Sequence, residues 1–360
     1  MAGLIDARIA TAVARRMSGD VSGIDEGQRA KLESDLESAV GRSDELVASI
    51  SGITSPRPVR WAIVERPDWA AANIHGMSRL IEPLEDRIGS SLKAVPAPAR
   101  FAQRAFVSAE IGVMLGYVSR RVLGQYDLLV PESEPGPNWR NRNSPTGGAS
   151  LYFVGPNMIE TCNRLKFVPE DFALWVAVHE MTHRYQFEGV PWLRERFFGL
   201  IRQYMASLQL DPKSLARRLA DAAKKIVTRS ISQEERNAVY LLASDEQRVI
   251  LDDIQALMSV VEGHGNYVMD SIGAQVIPTF ERMRKAFDKR RDQSNLLQRV
   301  INGAIGLEMK MRQYELGQTF CEAVVARGGN EALHALWSSP ENLPSLSELR
   351  APERWVTRVA

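Results

Sequence analysis

The sequence predicts a mainly α protein with a small two- or few-stranded β element next to one buried helix. Three observations predict it. Apolar residues recur at the helical spacing through most of the 360 positions. Only two stretches, 125–131 and 150–155, read as strands, being rich in apolar and aromatic residues and bounded by turn formers. Both lie just upstream of residues 169–189, a run with helical end signals that is apolar on most faces.

Residues 1–26 are a short amphipathic segment broken by Gly, Ser and Asp at 18–23. A mostly polar helix with a Leu/Val stripe follows over 27–50, then a turn at Ser55-Pro56-Arg57-Pro58. Helices are predicted over 67–88 and, behind Pro96 and Pro98, over 97–123, with Ile111 to Leu115 favouring burial. The first strand, Gln125 to Pro131, leads into a loop at 132–148 rich in Pro, Asn, Gly and Ser; so long a loop suits a lid. The second strand is Ser150 to Gly155, and one of the two is expected to border a cleft and pair with extended substrate. After Trp192 helices are predicted at 193–208, 212–230, 233–243, 245–271, 279–292 and 295–327. A Pro-containing tail with Leu343, Leu346, Leu349 and Trp355 packs back on the body. This reading gives an N-terminal helical region, 1–123, packed as one unit with a catalytic region, 124–360.

Composition narrows the function classes. The chain is 44% hydrophobic and 25% charged, enough for a large core. A net charge of +1 provides no global field for nucleic acid or a membrane surface. No apolar run approaches the roughly 18 residues of a membrane span. The N-terminus mixes Asp6, Arg8, Arg15 and Arg16 with small residues and predicts no signal peptide. Two cysteines, Cys162 and Cys321, form no framework and fit the reducing cytoplasm as inert buried thiols.

The chemistry sits in His179-Glu180-Met181-Thr182-His183. Histidines four apart on a helix differ by about 40° of rotation and about 6 Å of rise, so both imidazoles reach one cation. The glutamate between them stands beside a metal-bound water as general base. Pro169 suits the first turn, Glu170 and Asp171 suit the positive end of the helix dipole, and Gly189 with Pro191 ends the helix.

A catalytic zinc takes three protein ligands. Position 189 is Gly and position 186 is Gln, which excludes the HExxHxxGxxH pattern. The third ligand must come from another helix. Glu262 follows the apolar run Ile254, Leu257, Met258, Val260 and Val261 as an otherwise unexplained acid, 262 − 183 = 79 positions on. It is preferred, with His264 as the alternative. His264 and Tyr267 are candidate transition-state donors, and Asn266 and Asp270 could orient a histidine ligand.

His179-Glu-Met-Thr-His183-Arg-Tyr-Gln-Phe187 with Val190-Pro-Trp-Leu-Arg194 resembles the zinicin-like (zincin-type, HExxH) metallopeptidase family of actinobacteria and relatives. Glu262-Gly-His-Gly-Asn-Tyr-Val-Met-Asp270, Lys310-Met-Arg-Gln-Tyr-Glu315 and Ser339-Pro-Glu-Asn-Leu-Pro344 resemble its later blocks. The resemblance runs from about Trp61 to the end. It implies a mostly helical zincin-like fold, bound Zn2+ and peptidase chemistry on a peptide or amide substrate. One branch resembles proteins encoded near genes for deazaflavin-coenzyme biosynthesis. A catalytically silent scaffold of the same shape, or an amidohydrolase of a small metabolite, stays open at this point.

Overall fold

The computed structural model describes residues 4–19, 24–54, 58–92, 96–129, 151–208, 240, 243–292 and 307–359. The expected loop at 132–148 and the helices at 212–230 and 233–243 lie outside them, apart from Tyr240 and Ala243. So does the start of the 295–327 helix. The observed order is α1 (Ala7–Met17), α2 (Glu26–Ser51), β1 (Trp61–Val64), α3 (Arg66–Leu92), α4 (Ala97–Ser119), β2 (Gly124–Tyr126), β3 (Leu151–Val154), α5 (Gly155–Leu165) and α6 (Pro169–Gly189). Then come α7 (Leu193–Ser207), α8 (Asp245–Val276), α9 (Phe280–Asp292), α10 (Leu307–Ser338), a 3₁₀ turn (Pro340–Asn342), α11 (Leu346–Arg350) and α12 (Pro352–Val359). The protein is mainly α, as the patterning predicts. None of the described helices is long and apolar enough to cross a membrane.

Besides the short tail helices α11 and α12, two elements escaped the sequence reading. Trp61-Ala-Ile-Val64 is a third strand, and Gly155–Leu165 is a helix. Four residues are too few to show a period, and α5 starts on Gly-Pro, which reads as a turn.

The chain divides into two compact units, Met1–Tyr185 with Val268–Arg291, and Gln186–Tyr267 with Asp292–Ala360. Helices α6 and α8 each contribute residues to both. The first unit holds the sheet, ordered β1-β3-β2, with β1 parallel and β2 antiparallel to the central β3. Leu151 to Val154 are fully buried, as a central strand covered on both faces requires. Ala62, Val64, Tyr152 and Val154 join Ala10 and Ala14 of α1 and Ile74 of α3 in one core. Helices α1 and α4 touch backbone to backbone: a Cβ on Gly112 would lie 2.5 Å from Ala10 O, and one on Gly116 2.7 Å from Ala14 O.

In the second unit, α8 and α10 cross at glycines. A Cβ on Gly263 would lie 2.1 Å from the Gly317 carbonyl carbon, and one on Gly317 would lie 1.7 Å from Ser259 O. The tail folds back on α10, as its leucines and tryptophan predict. Trp355 is buried against Phe320, and its Nε1 donates to Asn342 O at 2.6 Å.

Candidate metal centre

Helix α6 is pinned along its length. At its start, Thr279 donates through its backbone N and its Oγ1 to Asp171 Oδ2, at 3.1 and 2.6 Å. Phe172 stacks on Phe287 of α9, and Trp175 meets the same ring at a tilt, with centroids 4.6 Å apart. Further along, the fully buried Arg184 pairs with Asp44 of α2 at 3.3 Å, and Tyr185 Oη donates to Asp44 Oδ1 at 3.0 Å. Burial pushes the Tyr185 phenol up, and the neighbouring Asp44 carboxylate adds to the shift, to about 12. These anchors fix the rotation of α6 and hence the direction of its histidines.

The two histidines meet. His179 Nε2 and His183 Nε2 are 3.1 Å apart, with their rings nearly perpendicular. Two nitrogens held at about 2.0–2.1 Å in a tetrahedral shell stand about 3.3 Å apart, so this spacing is close to that of two ligands on one zinc. Among the described residues, His179, His183 and Glu262 form a group that could hold a metal ion. Each offers one ligand atom, and the three atoms lie within 4.8 Å of one another. Two imidazoles and a carboxylate are a borderline-soft donor set that suits zinc, so the residues fit the metal.

Glu180 is buried and turned to the sheet. Its Oε2 accepts from the backbone N–H of Tyr126 in β2 at 3.0 Å. The strand approaches it closely: a Cβ on Gly124 would lie 2.6 Å from Glu180 Cγ and 2.9 Å from Oε1. Thus β2, one of the two edge strands, borders the glutamate. The next segment is tied off, with Tyr152 Oη donating to Asp127 Oδ2 at 2.8 Å and Leu129 N to Asp127 Oδ1 at 3.2 Å.

Glu262 is buried on α8 where that helix crosses α10. His264, not part of the metal-ligating group, is almost fully buried. Its Nδ1 is 3.0 Å from Gln186 Nε2, and its ring meets Trp337 edge-on with centroids 5.0 Å apart. Gln186 Nε2 also donates to Val261 O at 2.9 Å. A Gln amide nitrogen only donates, so Nδ1 is the acceptor and His264 carries its proton on Nε2. Tyr267 Oη donates to Asn330 Oδ1 at 3.0 Å in an exposed position. Asp270 pairs with Arg284 of α9, and Asn266 is half-buried. His75 is exposed on α3. Both cysteines are buried free thiols whose burial pushes them up, Cys321 the more strongly.

The sequence reading missed Gly124, Tyr126 and Gln186. Gly124 and Tyr126 act through backbone placement, which no local pattern reports. Gln186 carried a signal, being a polar residue on the continuation of an apolar helix three positions after His183.

A family model described as zincin-like metallopeptidase matches residues 5–356. A solved structure from Chloroflexus aurantiacus, described as a candidate hydrolase with a novel fold, is 33% identical, covers 98% of each chain and superposes with a TM-score of 0.70. No curated protein matches the chain.

Proposed function

The chain belongs to the zincin-like metallopeptidase family, and from that membership we propose that it is a zinc-dependent hydrolase that cleaves a peptide or other amide bond. The observation that carries this reading is the His179, His183 and Glu262 donor group, with ligand atoms within 4.8 Å. Zinc held there supplies a Lewis acid that polarises the scissile carbonyl and acidifies water. Glu180 takes the proton from the attacking water and returns it to the departing nitrogen. The Tyr126 N–H holds the Glu180 carboxylate in place for that transfer. Substrate lies along β2, the edge strand beside Glu180. His264 and Tyr267, the donor candidates, serve in this reading as packing and surface groups, on the strength of their bonds to Gln186 and Asn330.

We place the activity in the cytoplasm, which two buried free thiols support. The partner is an amide substrate, with no role for nucleic acid or a membrane surface. Metal analysis of the purified protein tests the centre. One zinc per chain is expected in the wild type, and loss is expected in His179→Ala and Glu262→Ala. Stoichiometric zinc in both variants would sink the site. With Glu180→Gln, zinc should stay while hydrolysis of a peptide and amide library disappears. A wild type that binds zinc but cleaves nothing in that library would favour a silent scaffold.

A further inference from the structure

The backbone of residues 119–129, which forms the strand beside Glu180, permits a count of what it can offer a substrate. At its start, Arg121 N and Val122 N donate to Val118 O. Asn157 Nδ2 donates to Ser119 O at 2.7 Å and to Val122 O at 2.5 Å. Val154 N donates to Leu123 O at 2.9 Å, so Leu123 and Val154 face each other as a hydrogen-bonded pair. The register then turns Gln125 toward Tyr152 of β3 and turns Gly124 and Tyr126 to the outer edge. Tyr126 is already committed on both sides. Its N–H goes to Glu180 Oε2 at 3.0 Å, and its carbonyl accepts from Leu128 N at 3.1 Å. The Asp127 turn follows at once. Of the two outward-facing residues, Gly124 is the one whose N–H and C=O are not taken by these bonds, and it lies directly against Glu180.

We propose that main-chain recognition of the substrate on β2 is confined to one residue pair, with Gly124, so that the substrate is a short amide rather than a segment of extended polypeptide. Its chemical class is an amino-acid conjugate or a molecule of dipeptide size. The inference rests on the hydrolase reading of the same site. A strand that receives an extended peptide supplies main-chain partners at every second residue. Here the next outward N–H along the strand is held by the catalytic base. Releasing it to a longer substrate would take from Glu180 the donor that orients it.

Binding of zinc-directed peptide hydroxamates carrying one, two, three or four residues tests this on the zinc-loaded protein, read as Kd by calorimetry. Affinity is expected to stay within about threefold along the series. N-methylation of the residue next to the hydroxamate should weaken binding about tenfold, and N-methylation further out should not change it. Affinity that climbs roughly tenfold with each added residue pair, or sensitivity to N-methylation at the outer residues, overturns the single-pair edge and leaves the zinc reading standing. Failure of the shortest hydroxamate to bind zinc-loaded protein overturns the zinc hydrolase reading, and this inference with it.

Discussion

His183 and His264 are both imidazoles set into apolar helices, 9% and 1% exposed. Burial therefore does not separate the candidate metal ligand from the other histidine; their partners differ. His183 Nε2 faces the same atom of His179 at 3.1 Å. One neutral imidazole can donate to the other at this spacing, and the same spacing lets both lone pairs turn to one cation, with Glu262 as the third donor. His264 instead has an ordinary neutral donor on Nδ1, the Gln186 amide, and an aromatic edge contact with Trp337. An imidazole so satisfied is stable in the interior without metal.

The sharpest break between the two is substitution. His183→Ala should abolish stoichiometric zinc and lower kcat/KM by about 10³-fold or more, since on the proposed function it removes the Lewis acid. His264→Ala should keep one zinc per chain and lose stability, because the Gln186 amide is left facing a cavity. Metal analysis beside thermal unfolding separates the outcomes. Zinc lost from His264→Ala and retained in His183→Ala would reverse the assignment.

Next in size is the crossing that carries Glu262. Gly263→Ala forces a methyl into the space of the Gly317 backbone, which cannot swing aside as a side chain would. A cost of about 3 kcal/mol or more is expected, with weakened zinc binding because α8 must retreat. Gly199 in α7 is the control, since a Cβ there meets nothing within 4 Å. Gly199→Ala should stabilise by about 0.5–1 kcal/mol through helix propensity. Denaturant unfolding of both variants checks the pair; equal effects would mean that the close crossing is not what matters at Gly263.

How much of this was legible follows from what each residue does locally. His179, Glu180 and His183 sit at fixed helical spacing, so the sequence displays them. Glu262 was found as an acid out of place in an apolar run, and its two neighbouring glycines hinted at a close approach that Gly263 and Gly317 make. The choice between Glu262 and His264 could not be closed, because it depends on the rotation of α8 about its axis. Gln186 influences that rotation through Val261 O and His264 Nδ1, contacts 75 and 78 positions away. The role of β2 was hidden for the same reason. Three residues, Gly124–Tyr126, have no period of their own, and their meaning comes from register with β3 and from the Tyr126 N–H on Glu180.

Gln186 joins α6 to α8 through Val261 O and His264 Nδ1. Gln186→Leu keeps most of the volume and removes the donors to Val261 O and His264 Nδ1. A loss of roughly 2 kcal/mol is expected, the cost of buried acceptors left without their partner. Gln186→Glu, which is nearly isosteric, should fare no better, since a carboxylate turned to a carbonyl and an acceptor nitrogen offers nothing to either. Zinc affinity, read by chelator competition, should fall with both variants while His179 and His183 stay intact. Unchanged affinity in both would mean that α8 is oriented without Gln186.

The smallest effect lies at the outer support of His264. Its partner Trp337 ends α10, and that end is tied to the tail by Asn342 Nδ2 donating to Ala335 O at 2.7 Å. The tail is stapled by Arg358, which bonds Glu348 Oε1 at 2.6 Å and Leu343 O at 3.1 Å. Burial pushes the Glu348 carboxyl up, but Arg358 and Ser345 outweigh it and hold it below its ordinary value of 4.5. A carboxyl depressed in the folded state contributes stability above its unfolded value and loses it as pH falls. The wild type should therefore exceed Glu348→Gln by about 1 kcal/mol at pH 7. That margin should shrink as the pH drops below about 4.5, with zinc content at pH 7 the same in both. A margin that does not vary with pH would show that the staple acts through packing alone, and zinc loss in Glu348→Gln at pH 7 would show that His264 and the candidate metal ligands share a support.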